Sequence, residues 1–273
     1  MKNNNFNEVG KFYEDKIAEF WAITHGRHMH TGYWDDKNMD APIAEGARRT
    51  TEIMIEKAPI KENENFFDFG CGFGLPAIEL AKRKKCNVYG ITASNFQKIE
   101  AEKTALQEDV ANLTNFIVCD AKDTLFKDNF FDGGWFFESI FHMGHEEALR
   151  EARRVLKPKG VILLADFIAL PCLNEADRNI LFDTFQIKTL KRLDEYPDLL
   201  NQMGFDLIEL WDITNQTIKI RTQKYNELLF AFKDQFVKIG GIEAYEKMKN
   251  FWDSNNQIIE RNIGYVIVTC RKK

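Results

Sequence analysis

Phe66-Phe67-Asp68-Phe69-Gly70-Cys71-Gly72-Phe73-Gly74 carries an apolar run into three glycines at every second position, and Leu75–Arg83 follows with an apolar helical face. A strand, tight turn and helix in this order bring backbone close to a ligand. Glycine lacks Cβ and tolerates positive φ, and the first turn of the helix offers unpaired N–H groups to polar ligand atoms. Position 75 is Leu, so the dinucleotide fingerprint G-x-G-x-x-G is not met. A nicotinamide-binding fold also carries an acid about 20 residues further on. Here Gly90-Ile91-Thr92-Ala93-Ser94 offers hydroxyls instead.

Outward from this loop, apolar runs alternate with amphipathic stretches between Phe66 and Phe167, which predicts a parallel sheet with crossover helices. Strands are expected at Asn65–Phe69, Asn87–Thr92, Asn115–Cys119, Phe131–Phe137 and Val161–Asp166. Helices are expected at Leu75–Arg83, at Asn95–Glu108 behind an N-cap at Ser94, and at Glu146–Leu156, stopped by the turn Lys157-Pro158-Lys159-Gly160. Before the core, Val9–Ile23 has helical spacing. Beyond it, Glu175–Thr189, Pro197–Met203, Ile218–Lys238 and Ile242–Ile259 read as helices, and Leu207–Ile213 and Gly264–Cys270 as strands.

The 273 residues suit one domain with an added cap, and they include 23 Phe, a heavy aromatic load of which most belongs in the core. The formal charge of −5 argues against a polyanionic partner such as nucleic acid. The longest apolar run, Val161 to Leu170, is broken by Asp166 and is too short to span a bilayer, so a cytoplasmic protein is expected. Five scattered Cys form no C-x-x-C pair and read as reduced thiols rather than disulfides or a zinc site.

Five motifs resemble, in order, those of the class I S-adenosylmethionine-dependent methyltransferases. Asp68 to Gly74 looks like the family's first motif, and Gly90-Ile91-Thr92-Ala93-Ser94 with Gln97 is similar to the G-I-T-x-S-x-x-Q stretch of a small-molecule branch. Cys119-Asp120-Ala121 matches the turn after the third strand. Phe131 to Met143 resembles the fourth-strand segment, and Leu156 to Gly160 the L-x-P-x-G turn. His30-Thr31-Gly32-Tyr33-Trp34 is also like the H-x-G-Y-W segment of that branch, which methylates natural products, prenyl compounds, phenolics and small amines.

The resemblance implies S-adenosylmethionine as cofactor and assigns roles residue by residue. Gly70, Cys71 and Gly72 would lie against the methionine part, with Asp68 bracing the loop and Tyr13 and Tyr33 closing over that end. Thr92, Ala93 and the Gln97 amide would meet the ribose, Gln97 standing where many relatives have an acid. Asp120 and Ala121 would face the adenine edge.

Glu138 and His142, just past the fourth strand, are the candidates for proton handling, with a structural hydrogen bond as the plainer alternative for His142. Capping a turn is the plainer role for Asp120, and Cys71 fits as a small residue rather than a nucleophile. His28 and His30 are two histidines without a nearby third ligand, which does not suggest metal. Trp21, Trp34, Trp135, Phe136, Phe137 and Phe141 are candidates to wall a substrate site, although strand alternation allows only about half to face it.

The expected fold is α/β: a Rossmann-like, seven-stranded, mostly parallel sheet with a reversed last strand, helices on both faces and a helical cap. A single domain over 1–273 would comprise N-terminal lid helices (1–60), a cofactor-binding core (61–170), late core elements with a cap insertion (171–263) and the last strand (264–273). The expected activity is in-line methyl transfer to N, O or C of a small apolar or aromatic acceptor. A noncatalytic cofactor-binding module and a macromolecular methyltransferase are the rivals, and the latter is opposed by the acidic balance and by Phe137-Glu138-Ser139-Ile140 in place of an N/D-P-P-Y motif. Acceptor and oligomeric state are left open.

Overall fold

Phe66, Phe67, Asp68 and Phe69 are all buried, because the strand they form, β1 (Asn65–Phe69), sits at the centre of a sheet covered on both faces. The structure is a computed structural model that describes residue 10 and residues 27–273. The other strands are β2 (Asn87–Thr92), β3 (Thr114–Val118), β4 (Phe131–Phe137), β5 (Leu156–Ala169), β6 (Phe205–Asp212) and β7 (Ile263–Lys272). Their order is β3-β2-β1-β4-β5-β7-β6. β1 to β5 pair in parallel, and β7 runs antiparallel between β5 and β6. The expected seven-stranded sheet with a reversed last strand is therefore observed. The strand order reverses direction between β1 and β4, which opens a crevice at their carboxyl ends.

Helices α1 (Ile43–Lys57), α2 (Leu75–Lys84) and α3 (Asn95–Gln107) cover one face. Met54, Ile78, Leu80 and Ala101 there pack with Trp135, Leu163 and Tyr265. After the short α4 (Ile140–Met143), α5 (His145–Val155) covers the other face, where Leu149, Ala152 and Val155 meet Phe67, Phe136 and Leu164. α6 (Glu175–Phe185) and α7 (Tyr196–Gln202) follow β5, and Tyr196 and Leu200 join that second layer. The cap is α8 (Ile218–Ala231) and α9 (Lys233–Asn262), inserted between β6 and β7. It packs Tyr225, Leu228 and Trp252 with Trp34 and Ile43.

Several boundaries depart from the sequence reading for local reasons. β3 begins and ends one residue early, β6 lies over 205–212 rather than 207–213, and β7 extends through Lys272. β5 begins at Leu156, because Phe131 pairs with Leu156 and Gly133 with Val161, so the expected turn residues 157–160 loop out as an irregularity inside the strand. α6 stops at Phe185, where Gln186 takes a left-handed C-cap with φ 55, rather than running to Thr189. α8 stops at Ala231, and the gap read after Lys238 is a break at Gly241 (φ 81, ψ 168) within α9. α1 and α4 were not expected as separate helices. Of the helix expected over Val9–Ile23 only Gly10 is among the described residues; Tyr13 and Trp21 lie outside them.

Gly134 faces Phe67 across the β1–β4 register, and a Cβ there would come 2.3 Å from the ring. Phe67 is fully buried among Phe69, Phe131 and Phe136 and has nowhere to move. Gly134→Ala should destabilise the fold by about 1–3 kcal/mol through overpacking. A urea melt should show a lower midpoint with an unchanged slope.

Candidate active site

A cavity opens at the carboxyl ends of β1, β2 and β4 and of the neighbouring β3. Asp68, Gly70, Cys71 and Gly72 line it from the β1 loop, and Thr92, Ala93 and Gln97 from the end of β2 and the start of α3. Asp120 and Ala121 follow β3, and Glu138 and His142 follow β4. The glycine loop is tied down on two sides. The N–H groups of Gly70 and Cys71 both donate to the Ile91 carbonyl at 2.8 Å, and the Ser139 hydroxyl donates to the Phe69 carbonyl. Gly70 has φ 89, and a Cβ on it would strike that of Ser139 at 2.3 Å. Gly72 has φ 53, and a Cβ on it would meet nothing within 4 Å. Glycine is thus needed at the first position by its neighbour and its backbone, and at the second by its backbone while the space over it stays open.

The β2 end is ordered by three hydrogen bonds. The Ser94 N–H donates to Thr92 Oγ1 at 3.1 Å, the Gln97 N–H to Ser94 Oγ at 3.2 Å, and the Thr92 hydroxyl to Gln97 Oε1 at 2.6 Å. With its oxygen engaged, Gln97 keeps its NH2 as a donor. Asp120 Oδ1 accepts from the Lys122 N–H at 3.0 Å, so this acid caps its own turn while still bordering the cavity. Lys122 Nζ lies 3.6 Å from its other oxygen.

Asp68 is almost wholly buried, its Oδ1 has no hydrogen-bond partner, and burial pushes its carboxyl up to about 7. It can take a cation or an N–H donor from the cavity. Glu138 leaves β4 with φ 47, and its Oε1 accepts from the Thr31 N–H at 2.5 Å and the Tyr265 hydroxyl at 2.7 Å. Burial outweighs both bonds and raises it to about 7. His142 Nδ1 lies 2.9 Å from the Gln186 carbonyl, which can only accept, so Nδ1 carries the proton and the basic lone pair is on Nε2. Burial holds this imidazole down at about 4, and it is neutral near pH 7.

Tyr33 does not line the cavity. It is buried against Trp211, ring centroids 5.9 Å apart, with its N–H on the Gly46 carbonyl. Tyr13 lies outside the described residues. His28 Nδ1 and His30 Nε2 both lie 2.9 Å from Thr51 Oγ1, and His30 stacks on Phe137 at 3.9 Å in the cavity wall. Of the described aromatic candidates, Phe137 lines the cavity; Trp34, Trp135, Phe136 and Phe141 fill the core.

Met29, Phe73, Ser139 and Met143 also line the cavity and were not singled out. Phe73, Ser139 and Met143 sit inside the motif segments quoted above, and Met29 lies between His28 and His30. Asp166, which interrupts the apolar β5 run, accepts from the Tyr196 hydroxyl at 2.6 Å and pairs with His145 Nε2 at 2.7 Å. His145 Nδ1 in turn meets Thr189 Oγ1 at 2.9 Å, a buried network directly behind the α4 turn.

The family described as a methyltransferase domain matches residues 67–164. The (+)-O-methylkolavelool synthase of Herpetosiphon aurantiacus is 34% identical, over 96% of this chain and 92% of its own length. The 27-O-demethylrifamycin SV methyltransferase of Amycolatopsis mediterranei is 30% identical, over 97% of both. Among solved structures, geranyl diphosphate C-methyltransferase from Streptomyces coelicolor matches with a TM-score of 0.78 at 15% identity, over 100% of this chain and 99% of that one.

The Asp68 carboxyl is raised from its ordinary 3.8 to about 7, so its contribution to stability is complete below the lower value and is lost as pH rises through the upper. Asp68→Asn removes that titration. Between about pH 5 and about pH 8, wild type should therefore lose melting temperature relative to the variant. Parallel thermal melts across this range check this; a wild-type minus variant difference that stays constant with pH would show that Asp68 does not titrate in the fold.

Proposed function

Because this chain belongs to the class I S-adenosylmethionine-dependent methyltransferases, we propose that it methylates a hydroxyl group of an apolar or aromatic small molecule, with Glu138 accepting the proton. The observation that carries this is Glu138 itself, a buried carboxyl in the cavity wall raised to about 7 and held in place by Tyr265 and Thr31. A general base works best when its pKa lies near the working pH, which favours Glu138 over His142 at about 4. The names of the two relatives above speak of oxygen methylation, which supports a hydroxyl acceptor.

The cavity residues fit the cofactor. Asp68 Oδ1 is an orphaned buried acceptor suited to an ammonium group, the space over Gly72 admits a ligand against bare backbone, and the Gln97 NH2 can donate to ribose oxygens. Asp120 and Ala121 border the far end, where a carboxylate oxygen can accept from an exocyclic amine. When bound, S-adenosylmethionine supplies a methyl group made electrophilic by its sulfonium. The chain's part is to hold the acceptor oxygen in line, keep water out with Met29, Phe137 and Met143, and remove the proton at Glu138. His142, neutral and fixed through Gln186, orients the acceptor.

Residues 61–170 serve as the cofactor-binding core and 171–263 as late core and cap. The net charge of −5 supports a small acceptor over a nucleic acid, and five unpaired cysteines support a reducing, cytoplasmic setting.

Titration calorimetry with S-adenosylhomocysteine, with NAD as control, should show binding that Gln97→Ala and Asp120→Ala each weaken about tenfold or more. Binding of NAD alone would overturn the cofactor assignment. With a panel of terpenoid and phenolic alcohols, turnover should rise with pH through about 7 as Glu138 ionises, and Glu138→Gln should cost about a hundredfold in kcat and flatten that rise. A variant that kept both the rate and the pH profile would remove Glu138 from the chemistry.

A further inference from the structure

We propose that Thr50 and Thr51, neighbours on α1, are positioning residues for Glu138: their hydroxyls grip the chain on either side of the peptide whose N–H bonds the Glu138 carboxylate. This rests on the reading of Glu138 as the base and adds what holds its backbone donor in place.

Both threonines are fully buried in the middle of a helix, where a hydroxyl without a partner costs stability. A helical threonine can satisfy itself on the carbonyl four residues before it. Here the hydroxyls reach outward instead. Thr50 Oγ1 donates to the Thr31 carbonyl at 2.8 Å, while the Gly46 carbonyl of its own helix is farther off at 3.3 Å. Thr51 Oγ1 lies 2.9 Å from both His28 Nδ1 and His30 Nε2. A hydroxyl has one proton to give, so Thr51 donates to one ring, accepts from the other and joins the two histidines into one unit.

These anchors bracket a single bond. The Thr31 N–H, which donates to Glu138 Oε1 at 2.5 Å, lies between the His30 ring held by Thr51 and the Thr31 carbonyl held by Thr50. His30 also stacks on Phe137, the residue before Glu138, and the Tyr33 N–H donates to the Gly46 carbonyl at 3.0 Å. α1 is thus tied at three points to a segment whose other side rests on the end of β4. A hydrogen bond to the charged form of a carboxyl favours that form. Without this one, Glu138 Oε1 keeps the Tyr265 hydroxyl. By fixing the donor, α1 sets the pH range in which Glu138 can take a proton. Arg221 and Tyr225 of α8 also share an electrostatic field with Glu138. Within the gripped segment, Arg48 and Glu52 of α1 act on His28, which lies 3.5 Å from Glu79 of α2; burial holds its imidazole down at about 4.

The test labels the glutamate carboxyl carbons with 13C and follows the Glu138 resonance, identified by its loss in Glu138→Gln, from about pH 5 to about pH 9. The wild-type midpoint should lie at about 7. Thr50→Val and Thr51→Val keep the shape and remove the hydroxyl, and each should raise that midpoint by about half a pH unit or more. Thr50→Ser and Thr51→Ser should leave it in place. A wild-type carboxyl already ionised at the acid end of the range would defeat the reading of Glu138 as the base. A wild type near 7 whose midpoint neither valine variant raises would overturn this proposal alone. If one valine variant does not fold, as circular dichroism reports, the other carries the test. In the wild type, the Thr31 amide proton should shift with the same midpoint as Glu138, and an amide that ignores that titration would also overturn the proposal.

Discussion

At Gly70 three strand ends meet with no room for a side chain. The loop after β1 hangs by two N–H groups from one carbonyl of β2, and a serine hydroxyl from the segment after β4 closes onto the last carbonyl of β1. This contact fixes the distance between the glycine-loop backbone and the turn that carries Glu138 and His142. A methyl transfer carried by positioning needs that distance set before any ligand arrives. Both covering layers serve it, because the apolar helices on either face press β1, β2 and β4 into the register from which the loops emerge.

Three acids end up buried near the carboxyl ends of central strands, and their surroundings give them three characters. Asp68 has an oxygen with no partner and is poised to receive one. Glu138 has two donors on one oxygen yet remains near neutrality in its affinity for protons. Asp166 also has an unpartnered oxygen, Oδ1, but its other oxygen is held between Tyr196 and His145 and ties β5 to the start of α5. The first two are sources of instability in the ligand-free protein, since burial opposes their charged forms. Such groups persist where function requires them, and the large apolar core is what allows the fold to tolerate them.

The sequence was most legible where cause and effect lie close together. β1, β2 and β4 match their expected residues at both ends, because each is an apolar run stopped by glycine or polar residues, and the residues at their tips followed from the same short segments. Tyr33 shows the limit: its aromatic segment does border the cavity through Met29 and His30, but alternation along an extended chain turned this ring toward Trp211. Tyr265 could not be anticipated as a partner of Glu138, 127 residues away, since only the register of β7 against β5 brings the two together. The short α4 has no periodicity to read, and the looped-out residues of β5 carry the same Pro and Gly signals as an ordinary turn.

The antiparallel placement of β7 also sets an order of assembly. β6 touches the rest of the sheet through β7, yet β7 is synthesised after β6 and after the whole cap, so β6 must wait unpaired while the intervening helices are made. β7 then inserts between two strands already present, a long-range pairing of the kind that folds late. Only at that moment does Tyr265 reach Glu138. Until then Glu138 has only the Thr31 N–H on its carboxylate, so the finished hydrogen-bond set at the end of β4 depends on a strand 127 residues further along the chain.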